Sequence, residues 1–187
     1  MECIQYLTGE KRDLALHEAT MALSAELLVL SGIAPNDEDA RTSLQNSLDS
    51  GAACERFARM AADLGGPTDL VERASYYLPA APLVRPVYAD QSGIVNSMDT
   101  RTVGVAIIEL GGGRRRADDA IDHAVGLSDV CSIGERVDAE RPLAFVHARN
   151  ETGFEVAAKR LRSAISLGDK APASSPVVIR RIGRADT

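Results

Sequence analysis

The sequence predicts an α+β protein in which a helical N-terminal segment precedes a mixed α/β C-terminal subdomain. Two patterns support this prediction. Before residue 75, apolar residues recur at the spacing of amphipathic helices. Pro79, Pro82 and Pro86 then force extended chain, because proline lacks a backbone donor and restricts the residue before it. We therefore expect two domains, a helical segment over 1–78 and a mixed subdomain over 79–187.

The helical segment is predicted to contain five helices separated by glycines and polar caps. Its longest helix, Leu14 to Leu30, is dense in Leu, Ala and Met, which predicts burial on more than one side. Asp37 or Asp39 is expected to cap the next helix, because a short polar side chain accepts from free first-turn N–H groups. Thr68 or Asp69 is expected to begin the fifth helix.

The second half is predicted to alternate strands with two helices. Extended structure is expected over Val87–Met98, and an amphipathic helix over Phe154–Leu167 with Val156, Ala157, Leu161 and Ile165 facing inward. Apolar runs predict three more strands, over 121–133, 142–148 and 176–182.

The remaining helix lies within the most informative stretch of the chain, from Asn96 to Arg115. Ser97 or Asp99 is expected to N-cap it, and Gly111 follows its last apolar residue, where a left-handed C-terminal residue is favoured. Its apolar face has the spacing i, i+3, i+4 and i+7, at Val103, Ala106, Ile107 and Leu110.

Three glycines followed by arginines then allow two interpretations. The stretch from Gly111, Gly112 and Gly113 to Arg114 and Arg115 is either a turn and cap or a direct anion contact. Phosphate loops precede a helix N-terminus, whereas these glycines follow a helix. A Gly-Lys-Ser/Thr ending is also absent from the sequence. Both observations favour the turn.

Composition narrows the functional classes. The chain has 187 residues and a net charge of −6, which argues against general affinity for nucleic acid or anionic membrane. Its three cysteines are far apart and form no Cys-x-x-Cys pair, so reduced thiols in a cytoplasmic protein are expected. The start lacks the basic and apolar runs of a signal peptide. It opens inside an apparent helix without a cap, which is expected of a truncated chain.

Eight short pieces, in order and at compatible spacing, resemble the C-terminal portion of proteobacterial thymidine phosphorylases, in the pyrimidine nucleoside phosphorylase family. They are Tyr6–Glu10, Gly66–Asp69, Val87–Asp90, Met98–Arg101, Gly111–Arg115, Asp122–Gly126, Arg141–Ala144 with His147-Ala148, and Asp169–Pro172.

The resemblance implies pyrimidine salvage by a cytoplasmic homodimeric glycosyltransferase: thymidine and phosphate give thymine and 2-deoxyribose 1-phosphate. It implies no organic cofactor, with inorganic phosphate as co-substrate. Residues 1–78 would be helices of the family's α/β domain, and 79–187 a subdomain of hammerhead or barrel-sandwich type. Gly111, Gly112, Gly113, Arg114 and Arg115 would lie near substrate or anion, as one wall of the cleft.

This sequence departs from the family where the chemistry is carried. The phosphate-binding Lys-x-Ser and Gly-Gly segment and the pyrimidine-binding residues lie upstream of the matching region, so no catalytic residue is assigned to this chain. We expect it to be inactive alone and to need the missing N-terminal segment or a second subunit. The alternative is a stand-alone, non-catalytic interaction or assembly domain from a split or truncated gene.

Other candidate residues receive structural interpretations. Glu2 matches a glutamate that binds a structural cation in some family members, but the other ligands would lie upstream. His17, His123 and His147 have no partner constellation visible in the sequence. The stretch from Gly134 to Ala144 resembles the hairpin of biotinyl carriers, yet the corresponding turn near Asn96 has no lysine to carry the cofactor.

Overall fold

The computed structural model describes residues 1–173 and 175–182. The chain is an α+β protein, which confirms the predicted class: helices come first, and two small antiparallel sheets with two further helices follow. It divides into two compact units. The first unit contains residues 1–77 and 175–182, and the second contains residues 78–173.

The domain bounds expected from the sequence, 1–78 and 79–187, stay a prediction. Along the described residues, no helix has the length and apolar character needed to cross a membrane.

The first unit is built from helices that begin at polar caps. Asp13 accepts the Leu16 N–H at 2.8 Å, and Asn36 accepts the Asp39 N–H at 2.9 Å. The prediction of a cap at Asp37 or Asp39 is therefore wrong, because the cap is Asn36. Both acids lie inside the first turn, where a negative charge interacts favourably with the helix dipole. The helices are α1 (Glu2–Thr8), α2 (Leu14–Leu30), α3 (Asp37–Asp49), α4 (Ala52–Asp63) and α5 (Ala74–Tyr77).

The α2 helix packs on α3 through one of its faces. Ala25 and Ala40 are fully buried between the two helices, with Leu28 and Leu44 packed around them. Small residues at the contact let the two backbones approach closely. The prediction that α2 is buried on more than one side fails within the described chain, since Leu23 is 71% exposed on the opposite face.

The fifth helix begins later than expected. Thr68 and Asp69 lie in turns, and α5 begins only at Ala74. Asp69 accepts a hydrogen bond from the Tyr77 hydroxyl at 2.7 Å, which lowers the pKa of the carboxyl and fixes the turn instead of capping a helix. The guanidinium carbon of Arg73 lies 4.4 Å from the centroid of the Tyr76 ring.

The second unit places two helices beside two sheets. The first sheet has the strand order β1-β5-β3 and the second has the order β4-β2-β6, and all pairs are antiparallel. Among the described residues these short strands do not close into a barrel, because each sheet has only three strands. The elements are β1 (Leu83–Val87), β2 (Gly93–Met98), α6 (Thr100–Leu110), β3 (Gly126–Ser128), β4 (Arg136–Val137), β5 (Ala144–Ala148), α7 (Glu151–Ala164) and β6 (Ile165–Gly168).

The core of this unit lies between β5 and α7. Val146 and Leu161 are completely buried, together with Ala157 and Ala158 on the inner face of α7. The prediction that Val156 faces inward is wrong, because this side chain lies beside the buried face and is 43% exposed. Pro86 is accommodated because β1 is an edge strand and its outer side needs no ladder hydrogen bond.

Several predicted elements differ from the structure. The helix expected over Phe154–Leu167 ends at Ala164, because Ile165 turns extended (φ −112°, ψ 118°) and pairs with Met98 to begin β6. Of the strand expected over 121–133, only β3 forms. Before it, the Asp122 side chain accepts hydrogen bonds from the Ala124 N–H and from Arg149, so this part of the chain forms a loop. The strand expected over 176–182 is absent from the described residues there, where Arg181 instead pairs with Glu26 on α2 at 2.8 Å.

Candidate functional site

The helix α6, which leads into the site suggested by the sequence at Gly111 to Arg115, is capped at its N-terminus by Asp99. The Asp99 carboxylate accepts from the Arg101 and Thr102 N–H groups at 3.1 and 3.2 Å and from the Thr102 hydroxyl at 2.7 Å. The Thr102 hydroxyl is the main reason that the pKa of Asp99 falls below its ordinary value. Of the two expected caps, Asp99 and not Ser97 fills the role, because its side chain reaches two free donors.

The helix ends in a Schellman motif at the first glycine of the run. Gly111 has φ +97°, the left-handed region that glycine enters without steric cost. Its N–H donates to the Ile108 carbonyl at 3.0 Å, and the Gly112 N–H donates to the Ile107 carbonyl at 2.9 Å. The C-cap predicted at Gly111 is confirmed.

The next two glycines are required by close packing. A Cβ atom at Gly112 would lie 2.9 Å from Cγ2 of Ile107 and 3.4 Å from Cγ2 of Val125. A Cβ atom at Gly113 would lie 2.8 Å from Cγ1 of Ile108. Each of the three glycines therefore has a structural reason, and none of the three reasons involves a ligand.

The arginines that follow surround a carboxylate supplied by the same loop. Asp119 Oδ2 accepts both the Arg115 and the Arg116 N–H groups at 2.9 Å. The Arg114 Nε donates to the Asp119 carbonyl at 3.2 Å. The backbone donors of Arg115 and Arg116 are thus engaged within the loop, while the arginine side chains are exposed. The exposed guanidinium groups are the charged groups that this loop offers to an anion.

Asp122 ties this loop to β5. Its carboxylate accepts two hydrogen bonds from Arg149, at 2.5 and 2.7 Å, and its N–H donates to the Gly111 carbonyl at 2.9 Å. The Arg149 hydrogen bond is the main cause that lowers the pKa of Asp122 to about 2. Sequence reasoning did not single out this pair, because its partners are 27 residues apart along the chain.

Glu109, in the last turn of α6, fixes the helix end from which the same loop starts. Both of its carboxylate oxygens accept from Arg160 on α7, one of them at 2.5 Å, and the Arg160 hydrogen bond lowers the pKa of Glu109. Arg115 lies 3.7 Å from the same carboxylate. Two ion pairs, Asp122 with Arg149 and Glu109 with Arg160, therefore fix the loop that starts at Gly111, while its arginine side chains remain exposed.

The three histidines form no catalytic triad in the described residues. Nδ1 of His17 lies 2.9 Å from the Tyr6 hydroxyl, and Nε2 of His147 lies 2.9 Å from the Ser128 hydroxyl. Neither imidazole is hydrogen-bonded to a carboxylate within the part of the chain described. His123 is exposed. A Ser–His pair without an acidic partner lacks the group that orients the base.

Metal and thiol chemistry have little support in the arrangement. Glu2 is exposed in the first turn of α1, and no group of three or more His, Cys, Asp or Glu residues that could hold a metal ion occurs in the described residues. The cation role of Glu2 stays a prediction. Cys131 is buried, and burial raises the pKa of its thiol, which makes it a poor nucleophile.

These observations define a mixed α+β domain organised around a capped helix, a glycine turn and an anchored arginine loop. Residues 94–168 match the family model of the pyrimidine nucleoside phosphorylase C-terminal domain. Over that range the chain matches the C-terminal domain of this family, which confirms the resemblance found in this part of the sequence. The family's enzymes are pentosyltransferases of nucleoside metabolism. The matched range runs from β2 to β6 and contains the whole arginine loop.

Proposed function

We propose that this chain is the C-terminal part of a thymidine phosphorylase, which converts thymidine and phosphate into thymine and 2-deoxyribose 1-phosphate in pyrimidine salvage. The observation that carries the proposal is the family match over residues 94–168. Within the family, the resemblance of Asp169–Pro172, outside that range, favours a thymidine phosphorylase over the related archaeal nucleotide phosphorylases. The intact enzyme acts as a cytoplasmic homodimer and needs no organic cofactor.

In this proposal the chain supplies scaffold and one wall of the substrate cleft. Gly111 to Gly113 form the turn that follows α6. Asp122 and Glu109 fix the loop through their ion pairs with Arg149 and Arg160. Arg114 and Arg115 are exposed and positively charged. Preorganised cations suit a reaction in which a sugar oxocarbenium forms between phosphate and a departing pyrimidine anion.

Alone, the chain is expected to be inactive, because its sequence lacks the phosphate-binding Lys-x-Ser segment. The test is phosphorolysis by the purified chain, with thymine release from thymidine and phosphate followed by chromatography. Thymine release by this chain alone would contradict its inactivity. Co-expression with an upstream family segment is expected to restore activity, with a higher kcat/KM for thymidine than for uridine.

The role of the arginine loop is tested in that active assembly. Replacing Arg114 and Arg115 together by alanine is expected to lower kcat/KM by about tenfold, through loss of the cationic wall. Arg101→Ala is the matched control, an exposed arginine at the other end of α6. Equal effects of the two changes would contradict a specific role for the loop. Faster phosphorolysis of uridine would refute the thymidine preference and leave the family assignment intact.

A non-catalytic interaction or assembly domain is the second candidate. One observation favours it, the exposed apolar face of α2. The phosphorolysis assay with a co-expressed upstream segment distinguishes the thymidine phosphorylase from the interaction domain. Failure of every upstream segment to restore phosphorolysis, with both polypeptides folded, would favour the interaction domain.

A further inference from the structure

The chain returns to the helical unit near its C-terminal end. Residues 1–77 and 175–182 belong to the first unit, and residues 78–173 form the second unit. The helical unit is therefore discontinuous in sequence, and both chain connections of the second unit lead into it. The returning segment, the C-terminal strap (residues 175–182), is irregular chain without a helix or strand. Such a segment stays in place only where side chains hold it.

An ion pair joins the strap to α2 within this unit. Nη2 of Arg181 donates to Oε1 of Glu26 at 2.8 Å, and Nε of Arg181 lies 2.8 Å from Oε2 of the same carboxylate. Two parallel contacts of this kind form a bidentate fork, the geometry in which a guanidinium orients a carboxylate. Arg180, one residue earlier and exposed, takes part in no ion pair among the described residues. The contact is therefore specific to one of two adjacent arginines.

Two valines of the strap contribute apolar contact. Val177 is 47% exposed and Val178 is 42% exposed, so more than half of each residue is covered by neighbouring atoms. Ile179, the next residue, is 84% exposed. The strap is therefore partly covered before Ile179, as expected of a segment that lies against a protein surface. The ion pair and the apolar contact are both small, since Arg181 is 69% exposed and exposed pairs contribute little.

We propose that the C-terminal strap is a releasable tie, which the fork between Arg181 and Glu26 holds on α2. With the strap in place, both ends of the second unit are attached to the helical unit. With the strap released, only the connection over residues 78–82 attaches it, and a domain on one tether samples more positions than a domain on two. Because the contact consists of one exposed ion pair and two half-covered valines, release is a local opening that leaves both units folded.

The first measurement is the rate of thiol labelling by a maleimide in the full 187-residue chain. Cys3→Ser and Cys54→Ser remove the two thiols that are not buried, and Cys131 is buried. The probes are Val178→Cys, at the half-covered position, and Ile179→Cys, at the open one. We expect slower labelling at position 178, because the strap must open before the reagent reaches that thiol. Equal rates at the two positions would overturn the proposal.

The second measurement removes the fork without changing the strap. Glu26→Gln is expected to speed labelling at position 178 by about two- to fivefold, the range that an exposed ion pair provides, and to leave position 179 unchanged. Glu55→Gln, at an exposed glutamate on α4, is the matched control expected to have no effect. The same acceleration by both changes, or by neither, would contradict the role of the fork.

Charge exchange distinguishes a specific pair from a general charge effect. Glu26→Arg is expected to speed labelling at position 178 more than Glu26→Gln does, because it places two cations together. Adding Arg181→Glu re-forms the pair with its charges exchanged and is expected to restore the slow rate. Circular dichroism establishes that each variant is folded. Failure of the exchange to restore slow labelling would overturn the proposal. None of these readouts uses thymidine or phosphate, so this proposal and the proposed function fail independently.

Discussion

Alanine at the glycine run separates a structural role from an anion-binding role. Gly111→Ala forces a Cβ atom into the left-handed region at φ +97°, which costs about 1–2 kcal/mol. Gly112→Ala places its Cβ atom 2.9 Å from Cγ2 of Ile107, and overpacking of this kind costs about 1–3 kcal/mol. Gly104→Ala is the control in the same helix. A Cβ atom there meets nothing within 4 Å, so this change is expected to stabilise by about 0.5–1 kcal/mol.

The assay is guanidinium unfolding followed by far-ultraviolet circular dichroism, with and without added phosphate. The structure predicts opposite signs for Gly104→Ala and Gly111→Ala, and unchanged phosphate dependence in both. A neutral effect of alanine at position 111 would refute the left-handed cap. If the run instead contacts phosphate, alanine at 112 would remove the stabilisation that phosphate gives to the native chain.

Two further changes test the core and the loop anchor. Leu161→Ala, at a fully buried site, is expected to lower the free energy of unfolding by about 2–5 kcal/mol. The control Val156→Ala, at a side chain 43% exposed on the same helix, is expected to change it by less than about 0.5 kcal/mol. Equal losses for the two variants in denaturant titrations would contradict the packing. The pKa of Asp122 is lowered from 3.8 to about 2, so the Arg149 ion pair contributes fully above that ordinary value and is lost as the pH falls toward 2. Asp122→Asn should therefore reduce the slope of the free energy of unfolding against pH between pH 4 and pH 2. Parallel curves for the wild-type chain and the variant would show that the ion pair contributes nothing to stability.

The helix from Asp99 to Gly111 shows why part of the fold could be predicted. Its N-cap and its C-terminal glycine are local features, and Asp99, one of the two expected caps, and Gly111 were confirmed. On its predicted apolar face Ala106 is buried, and Val103 and Leu110 pack against the core. The strand β6 shows the opposite case. Ile165 continues the apolar spacing of α7, but pairing with Met98, far away in the chain, ends the helix at Ala164, three residues before its predicted end. Long-range pairing overrides a local pattern when both fit the same residues.

The candidate site divides in the same way. Its glycines and arginines, Gly111 to Arg115, could be chosen from the sequence because their types and order are unusual there. The groups that fix them could not, since Asp122 meets Arg149 and Glu109 meets Arg160 only after the chain has folded. Their charges are common on protein surfaces and carry no local signal.

By itself, the sequence determined the α+β class, the helices of the first unit and the resemblance to the pyrimidine nucleoside phosphorylases. These depend on local spacing, on caps and on motif order, all of which are written along the chain. Only the tertiary structure decided that α2 buries one apolar face and leaves the opposite face, with Leu23 and Leu27, exposed. It also decided that Asp119 occupies the backbone donors of the arginine loop. Burial and ion pairing are properties of residues brought together in space, and the order of residues does not specify them directly.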